Sequence, residues 1–387
     1  MKKILFGGSF DPIHLGHTHM AACASKQLDA DVIFLPTAAA IWKEESTPVE
    51  HKIKMVELAI EGNPRFSIDL YEVQKGEKQN YSIDTVKYFV QKYPNDQFYY
   101  LIGSDQVNAF HKWKNAKELS ELVQIIYFSR PGYYLDENNI KEYGMLRIVG
   151  DGKEISSTHI RGLNALELDK RVTDYIVSNN LYFVAKIRSF LSERRFNHSV
   201  SVANLAYEIA KKHNFKNPGD AYIAGLLHDI SKEIPNKEEI MVEHYKEYCD
   251  LPKFAYHQFA SEYIARTEFG IEDKNILEAI EFHATGKDNM GDLAKIIYAA
   301  DKIEPTRGFD SSELIQAMMN DVEKGFKTVL QANKEFLENN RKDINNRLTL
   351  KCFEYYLYAG LVALWHVESS FSNQGSNLHL LHCKVNS

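Results

Sequence analysis

Lys3-Ile4-Leu5-Phe6-Gly7-Gly8-Ser9-Phe10-Asp11-Pro12-Ile13-His14-Leu15-Gly16-His17 is the stretch that decides the fold. A short apolar run, Lys3–Phe6, reads as a strand. It ends in the turn Gly7-Gly8-Ser9-Phe10, and a helix is expected over Leu15–Gln27. A strand that feeds a helix N-terminus through glycines is an anion-binding arrangement. Glycine lets the backbone approach closely, free N–H groups face outward, and the helix dipole favours negative charge. His14 and His17, three residues apart at the helix start, add donors where phosphate charge would lie.

Working outward, residues 1–185 alternate strand and helix patterns. Strands are expected at Lys3–Phe6, Asp31–Leu35, Arg65–Ile68, Gln97–Ile102, Val123–Phe128 and Met145–Val149. Helices are expected between them at Leu15–Gln27, Pro48–Ile60, Ser82–Lys92 and Ala116–Leu122, and afterwards at Ser157–Gly162 and Thr173–Ser178. Such alternation predicts a parallel, doubly wound sheet whose ligand sits beyond the strand C-termini. Past residue 185 strand signals nearly vanish. Amphipathic periods take over, among them Ser199–His213, Gly219–His228, Lys237–Tyr248, Ser312–Leu337 and Leu348–Leu364, so an all-α domain is expected over 186–366. Residues 367–387 are rich in Ser, Asn, His and Gln, lack a helical period and read as a disordered tail.

With 387 residues, 44% hydrophobic and 26% charged, the composition is that of a globular protein of two or three domains. The formal net charge is -7 and neither half is basic, so a nucleic-acid-coating surface is not expected. The four cysteines are far apart and form no CxxC pair, which speaks against a zinc knuckle or a disulfide framework. No apolar run is long enough for a membrane span or a signal peptide, so a cytoplasmic location is expected. The composition leaves a homo-oligomer open.

Two further anchors lie in the first half. Ser156 and Ser157 can cap a short helix from which Arg161 emerges, a second phosphate clamp. Gly103-Ser104-Asp105 ends a strand with a carboxylate suited to ribose hydroxyls, and Trp113 offers a ring for stacking. Together, GGSFDPIHLGH and ISSTHIR resemble the nucleotidylyltransferase superfamily. Tyr81-Ser82-Ile83-Asp84-Thr85, Leu101-Ile102-Gly103-Ser104-Asp105 and Trp113 resemble its nicotinate-mononucleotide adenylyltransferase branch, over roughly residues 1–185.

That resemblance implies an α/β Rossmann-like nucleotidylyltransferase domain that joins nicotinate mononucleotide to ATP, with Mg²⁺ carried by the phosphates. His14, His17 and Arg161 would hold the ATP phosphates, helped by Ser156, Ser157 and the Gly7–Phe10 turn. Asp105 and Gly103 would meet the adenosine side, and Thr85 and Trp113 would form the pyridine pocket. Members usually carry Pro-Pro-His-Lys after the second strand. This chain has Ala40-Ile41-Trp42-Lys43, in which Lys43 keeps the phosphate-facing charge.

In the second half His198, His228, Asp229, His257, His283 and Asp301 are hard-to-bury groups at the ends of apolar helices. Such groups need partners or metal, and imidazole with carboxylate suits Fe, Mn, Zn or Co. Their order, with Gly225-Leu226-Leu227-His228-Asp229-Ile230-Ser231-Lys232 and Asp301-Lys302-Ile303-Glu304-Pro305-Thr306-Arg307, resembles the HD-domain phosphohydrolases, in particular the symmetrical diadenosine-tetraphosphate hydrolases. The resemblance implies two transition-metal ions, usually iron, over roughly residues 186–364. His198, His228, Asp229 and Asp301 would hold one, and Asp229 would bridge to a second held by His257 and His283. Lys232 and Arg307 would contact the phosphates. Two other readings stay open for this half: a metal-stabilised nucleotide-sensing or dimerising module, and a hydrolase of another nucleotide.

Overall fold

A computed structural model of the chain describes residues 1–37, 47–75, 80–129, 134–151, 155–342 and 344–358. Lys43, the expected tail over 367–387 and the last part of the helix expected over Leu348–Leu364 lie outside them. The chain divides into two compact units, Met1–Phe190 with Glu268–Glu272, and Leu191–Thr267 with Asp273–Ser387. The helix Phe183–Phe190, with Phe183, Val184 and Ile187 buried, runs through the region where the sequence pattern changes.

The first unit is built on six parallel strands: β1 (Lys2–Gly8), β2 (Asp31–Pro36), β3 (Phe66–Ile68), β4 (Gln97–Gly103), β5 (Gln124–Phe128) and β6 (Leu146–Ile148). Their spatial order is β3-β2-β1-β4-β5-β6. The central strands are nearly continuous apolar runs because helices cover both faces of such a sheet. Ile4, Leu5, Phe34, Leu35 and Leu101 are all within 1% of complete burial. Leu5 pairs with Ile33 on one side and Tyr100 on the other, so the chain leaves β1 in one direction and returns through β4 in the other. At that reversal the carboxyl ends of β1 and β4 splay and open a crevice, the usual ligand position in open α/β sheets.

The second unit is all helical among the described residues. Helix Gly219–Leu227 buries every residue except Asp220. A helix that is apolar all round has no solvent face and becomes the centre of its domain. It packs closely on helix Glu193–Lys212: a Cβ on Gly225 would stand 2.5 Å from Ala203 Cα, so only glycine fits. Helix Asp292–Ile303 is almost as deeply buried. The expected single helix Ser312–Leu337 is two, Ser312–Asn320 and Val322–Asn339. Asp321 adopts an extended conformation and its carboxylate accepts the Lys324 N–H at 2.8 Å, so capping interrupts the apolar period. Helix Lys237–His244 likewise stops short of Tyr248, which falls in a separate turn. No described helix is long and apolar enough to cross a membrane.

Candidate functional site

In the first unit, a cavity of about 350 Å³ opens at the crevice between β1 and β4. Gly7, Gly8, His17, Gly103, Asp105 and Trp113 line it, as do Glu72, Asn80, Ser82, Tyr100 and Gln106. A Cβ on Gly7 would stand 2.7 Å from the Tyr100 hydroxyl, so the glycine keeps the backbone close to the cavity wall. His14 and His17 form a reciprocal capping box at the start of helix Leu15–Leu28, a role Ser/Thr and Glu usually share. Their rings stack with centroids 3.7 Å apart. The His14 backbone N–H donates to His17 Nδ1 at 3.2 Å. Because Nδ1 accepts, the neutral His17 ring carries its proton on Nε2 and is a donor there. Gly16 leaves room beside the pair: a Cβ would lie 3.0 Å from the His14 ring and push it aside by a few tenths of an ångström.

The second motif docks onto the first. Ser157 Oγ donates to the Pro12 carbonyl at 3.0 Å, and Arg161 Nη1 donates to the Asp11 carbonyl at 2.5 Å. Ser156 caps helix Ser157–Arg161 by accepting the Thr158 N–H at 3.2 Å. Residues some 145–150 positions apart are thus joined at one turn. Arg161, Ser156, Ser157 and His14 are not on the cavity wall itself: they hold the turn that His17 and Gly8 flank. Ser9 and Phe10 belong to that turn, and Phe10 is buried with φ +45, a left-handed conformation a bulky residue adopts only under constraint.

Thr85, expected in the pyridine pocket, is buried behind it and donates its hydroxyl to Glu72 Oε1 at 2.8 Å. The lining residue is Glu72. Burial pushes the Glu72 carboxyl up from its ordinary range, against the Thr85 hydrogen bond and Lys75. Trp113 packs edge-on to Tyr100 and against Phe110. Asp105 folds over Gly103, where a Cβ would be 2.5 Å from Oδ1. Glu72 escapes sequence reasoning because it lies in a stretch without a motif, and Asn80 and Tyr100 because each falls one residue before a motif.

In the second unit all six expected metal-ligating residues converge. Three sets of their ligand atoms lie within 4.8 Å of one another: His198, His228 and Asp229; His228, His283 and Asp301; Asp229, His257 and His283. His228, His257 and His283 each use Nδ1 on a carbonyl three residues back: Gly225 at 2.7 Å, Phe254 at 2.5 Å and Ile280 at 2.8 Å. A carbonyl only accepts, so Nδ1 carries the proton and Nε2 presents a lone pair. The Nε2 atoms of His257 and His283 face each other at 3.0 Å, with Asp229 Oδ1 at 3.1 and 3.4 Å. Lys232 Nζ reaches His257 Nε2 at 2.9 Å, and the acceptors turned on one another suit a cation between them. His228 Nε2 is buried without a hydrogen-bond partner, and Asp229 Oδ1, also buried, has only the ion pair with Lys232 beside the two rings, so both atoms are free to ligate. The donor set therefore fits a divalent metal.

Burial drives the His257 pKa down and that of His283 down to about 3, keeping both neutral and fit to ligate. Burial opposes the ionised form of Asp229, and only positive charge or donated protons from the His228, His257 and His283 side would hold it well below the carboxylate range, a part that a bound cation can take when the rings are neutral. His198 differs. Its Nε2 meets Asp301 Oδ1 at 3.2 Å and its Nδ1 meets Glu304 Oε1 at 3.0 Å. Against the effect of burial, those two carboxylates raise its pKa to about 9, so proton and metal compete for it. Glu304, part of the Asp301–Arg307 stretch but given no role from sequence, orients this histidine. Around the cluster stand Lys232 Nζ, 3.4 Å from Asp229 Oδ1, Arg195 Nη1, 3.3 Å from Asp229 Oδ2, and Arg307 Nη2, 2.5 Å from Asp301 Oδ1.

The fold and the two sites define a nucleotide-type α/β unit followed by a helical metal unit. Residues 5–163 match the cytidylyltransferase-like family and residues 195–306 match the HD domain, a divalent-metal-binding domain. A nicotinate-nucleotide adenylyltransferase of Bacillus subtilis (strain 168) is 36% identical over 197 residues, covering 50% of this chain and 97% of its own length. The chain belongs to the nicotinate-nucleotide adenylyltransferase family and carries an HD domain after it. A Mycoplasma pneumoniae protein named "Probable nicotinate-nucleotide adenylyltransferase/Ap4A hydrolase" is 27% identical over 339 residues, covering 85% of this chain and 98% of its own. A crystal structure from Clostridium acetobutylicum, titled as an HD superfamily hydrolase involved in NAD metabolism, is 33% identical and covers 45% of this chain and 96% of its own, with a TM-score of 0.40.

Proposed function

We propose that the chain is a bifunctional cytoplasmic enzyme with two separately folded halves. The first half transfers AMP from ATP to nicotinate mononucleotide, giving nicotinate adenine dinucleotide and pyrophosphate. The mononucleotide's phosphate oxygen attacks the α-phosphorus, and the bond to the β-phosphate breaks. No side chain need act as nucleophile, so the protein's part is positioning and charge stabilisation. His17 Nε2–H donates to the phosphates; His14, Arg161, Ser156 and Ser157 fix the turn that aims it. Asp105 takes the ribose side, and Trp113 and Glu72 enclose the pyridine ring. Mg²⁺ travels on the ATP phosphates. The cavity at the β1–β4 reversal, with His17 on its wall, carries this reading.

The second half hydrolyses diadenosine tetraphosphate in the middle, giving two ADP. His198, His228, Asp229 and Asp301 would hold one transition-metal ion, and Asp229, His257 and His283 would hold a second, iron being the expected metal. Ions bound there would polarise the phosphate under attack and make water more acidic. Lys232 and Arg307 neutralise phosphate charge at the rim. The facing Nε2 lone pairs of His257 and His283 carry this reading. Product analysis tests both halves at once. Whole protein given nicotinate mononucleotide and ATP should release pyrophosphate and the dinucleotide. Given diadenosine tetraphosphate, it should yield ADP alone; a mixture of AMP and ATP would refute the symmetric cut.

A further inference from the structure

One stretch of the wall of the first unit's cavity is made of acceptors that lack donors. Glu72, Asn80, Ser82, Tyr100 and Trp113 line it together. Trp113 packs edge-on to Tyr100 with ring centroids 6.0 Å apart, and the Tyr100 hydroxyl donates to Ser82 Oγ at 2.9 Å. Burial, and after it the Glu72 carboxylate, pushes the Tyr100 hydroxyl up, so Glu72 stands at this same end. Ser82 accepts from Tyr100, which leaves its own proton to be donated. Glu72 Oε1 accepts the Thr85 hydroxyl at 2.8 Å, while Oε2 has no partner among the described residues. Asn80 Nδ2 donates to the Glu72 carbonyl at 2.9 Å. A carbonyl only accepts, so the orientation of that amide is fixed and Asn80 Oδ1 points elsewhere. It is left buried without a hydrogen-bond partner, a costly state for an acceptor. Asn80 as a whole is half-buried and lines the cavity, so a small rotation of its amide turns Oδ1 to a ligand.

We propose that Glu72 and Asn80 receive the two N–H bonds of a pyridine carboxamide, so that the first half adenylylates nicotinamide mononucleotide as well as the acid form. This rests on the adenylyltransferase reading above and adds a second substrate with the residues that admit it. A carboxylate brings only acceptors to this wall, whereas a carboxamide brings two donors. The carbonyl oxygen common to both forms takes the Ser82 proton. The transfer itself is unchanged. The phosphate oxygen of the amide mononucleotide attacks the α-phosphorus of ATP, the bond to the β-phosphate breaks, pyrophosphate leaves and the amide dinucleotide forms, with no change of oxidation state. Glu72 sets the balance between the two forms: protonated, it donates to the acid's carboxylate; ionised, it accepts from the amide. Burial opposes its ionisation, while the Thr85 hydroxyl and Lys75, itself 3.7 Å from Asp84, favour it.

Steady-state assays of the full chain with ATP and each mononucleotide test this. The parent should adenylylate both, with kcat/KM for the amide within about 10-fold of the acid, because the wall meets the amide's donors. Glu72→Gln keeps an acceptor for Thr85 but turns an NH₂ to the ligand. It should lower the amide-to-acid ratio of kcat/KM roughly 10-fold, the loss expected for one hydrogen bond to a charged group. Asn80→Ala should move the ratio the same way. In the parent the ratio should rise with pH as Glu72 ionises, and in Glu72→Gln it should stay level; titrations common to both substrates cancel in it. An amide rate roughly 1000-fold or more below the acid's, the penalty of a site that rejects a wrong polar group, overturns the proposal. A ratio unchanged in both variants does so too. Calorimetric titration of parent and variants with each mononucleotide reads the same ratio as affinities. Should neither be adenylylated while the affinity ratio still falls in Glu72→Gln, the transferase reading falls and the amide-binding wall stands; binding of neither overturns both.

Discussion

Gly225→Ala tests how closely the metal cluster depends on helix packing. Gly225 faces Ala203, and the added methyl would lie 2.5 Å from Ala203 Cα, 2.8 Å from its backbone nitrogen and 3.1 Å from its Cβ. Backbone cannot rotate away as a flexible side chain can, so the helices Gly219–Leu227 and Glu193–Lys212 must separate by about 1 Å to restore ordinary contact. Overpacking of this kind costs about 1–3 kcal/mol, and here the upper end applies. Alanine's helix propensity returns about 1 kcal/mol, leaving a net loss of about 2 kcal/mol. For a unit of this size that is a fall in Tm of about 4–8 °C. The Gly225 carbonyl also accepts the His228 Nδ1–H, and His198 lies on the other helix, so separation pulls ligands apart. Differential scanning calorimetry and elemental analysis of the purified variant should show a lower melting transition and reduced metal content, with adenylyl transfer unaffected. A variant as stable and as metal-loaded as the parent would refute the tight-packing argument.

Three other outcomes follow from the sites. His17→Ala should slow adenylyl transfer at least ~100-fold in steady-state assays, because a donor to developing phosphate charge contributes about 2.7–4 kcal/mol. Asp229→Ala should strip metal from both sides of the cluster, read by elemental analysis, since its two oxygens face different histidines. Glu72→Gln should stabilise the first unit at neutral pH: burial raises the folded-state pKa, so the native state favours the protonated carboxyl and loses stability as pH rises above about 4.5 through the raised value. Thermal melts of parent and variant should coincide below that range and diverge above it; parallel curves across pH would refute the assignment.

All six strands were legible because their apolar runs are bounded by glycine, proline or charge, and a strand buried on both faces needs little else. The converging histidines and aspartates were legible because His228-Asp229 and Asp301 terminate helices too apolar to tolerate them otherwise. The short helices Tyr71–Gln74, Ser104–Val107 and Glu137–Glu142 were not, since four to six residues carry no period. The Ser312–Leu337 pattern misled because apolar periodicity continued through Asp321, where a capping carboxylate prevailed. Glu72 and Glu304 were invisible for a different reason. Each acts on a residue elsewhere in the chain, Thr85 in one case and His198 in the other, and a lone glutamate shows nothing of its partner.

What sequence could least convey is the tautomer of each histidine, and on it the two chemistries diverge. In the first unit His17 Nδ1 accepts a backbone N–H, which places its proton on Nε2 and turns the ring into a donor for phosphate oxygen. In the second, Nδ1 of His228, His257 and His283 donates to a carbonyl, which frees each Nε2 lone pair for a metal. The difference arises from which backbone group each ring meets. At an N-terminus the orphan backbone groups are N–H donors, so a capping histidine must accept. Where the carbonyl three residues back is the available backbone group, the histidine must donate. His228 and His283 follow the last turns of their helices. His257 departs from this rule: it lies in the first turn of helix Tyr256–Glu268, where the preceding turn Lys253–Ala255 brings the Phe254 carbonyl to its Nδ1. The same side chain therefore becomes an anion-binding group where the nearest backbone group is an N–H and a cation-binding group where it is a carbonyl, with the backbone deciding which.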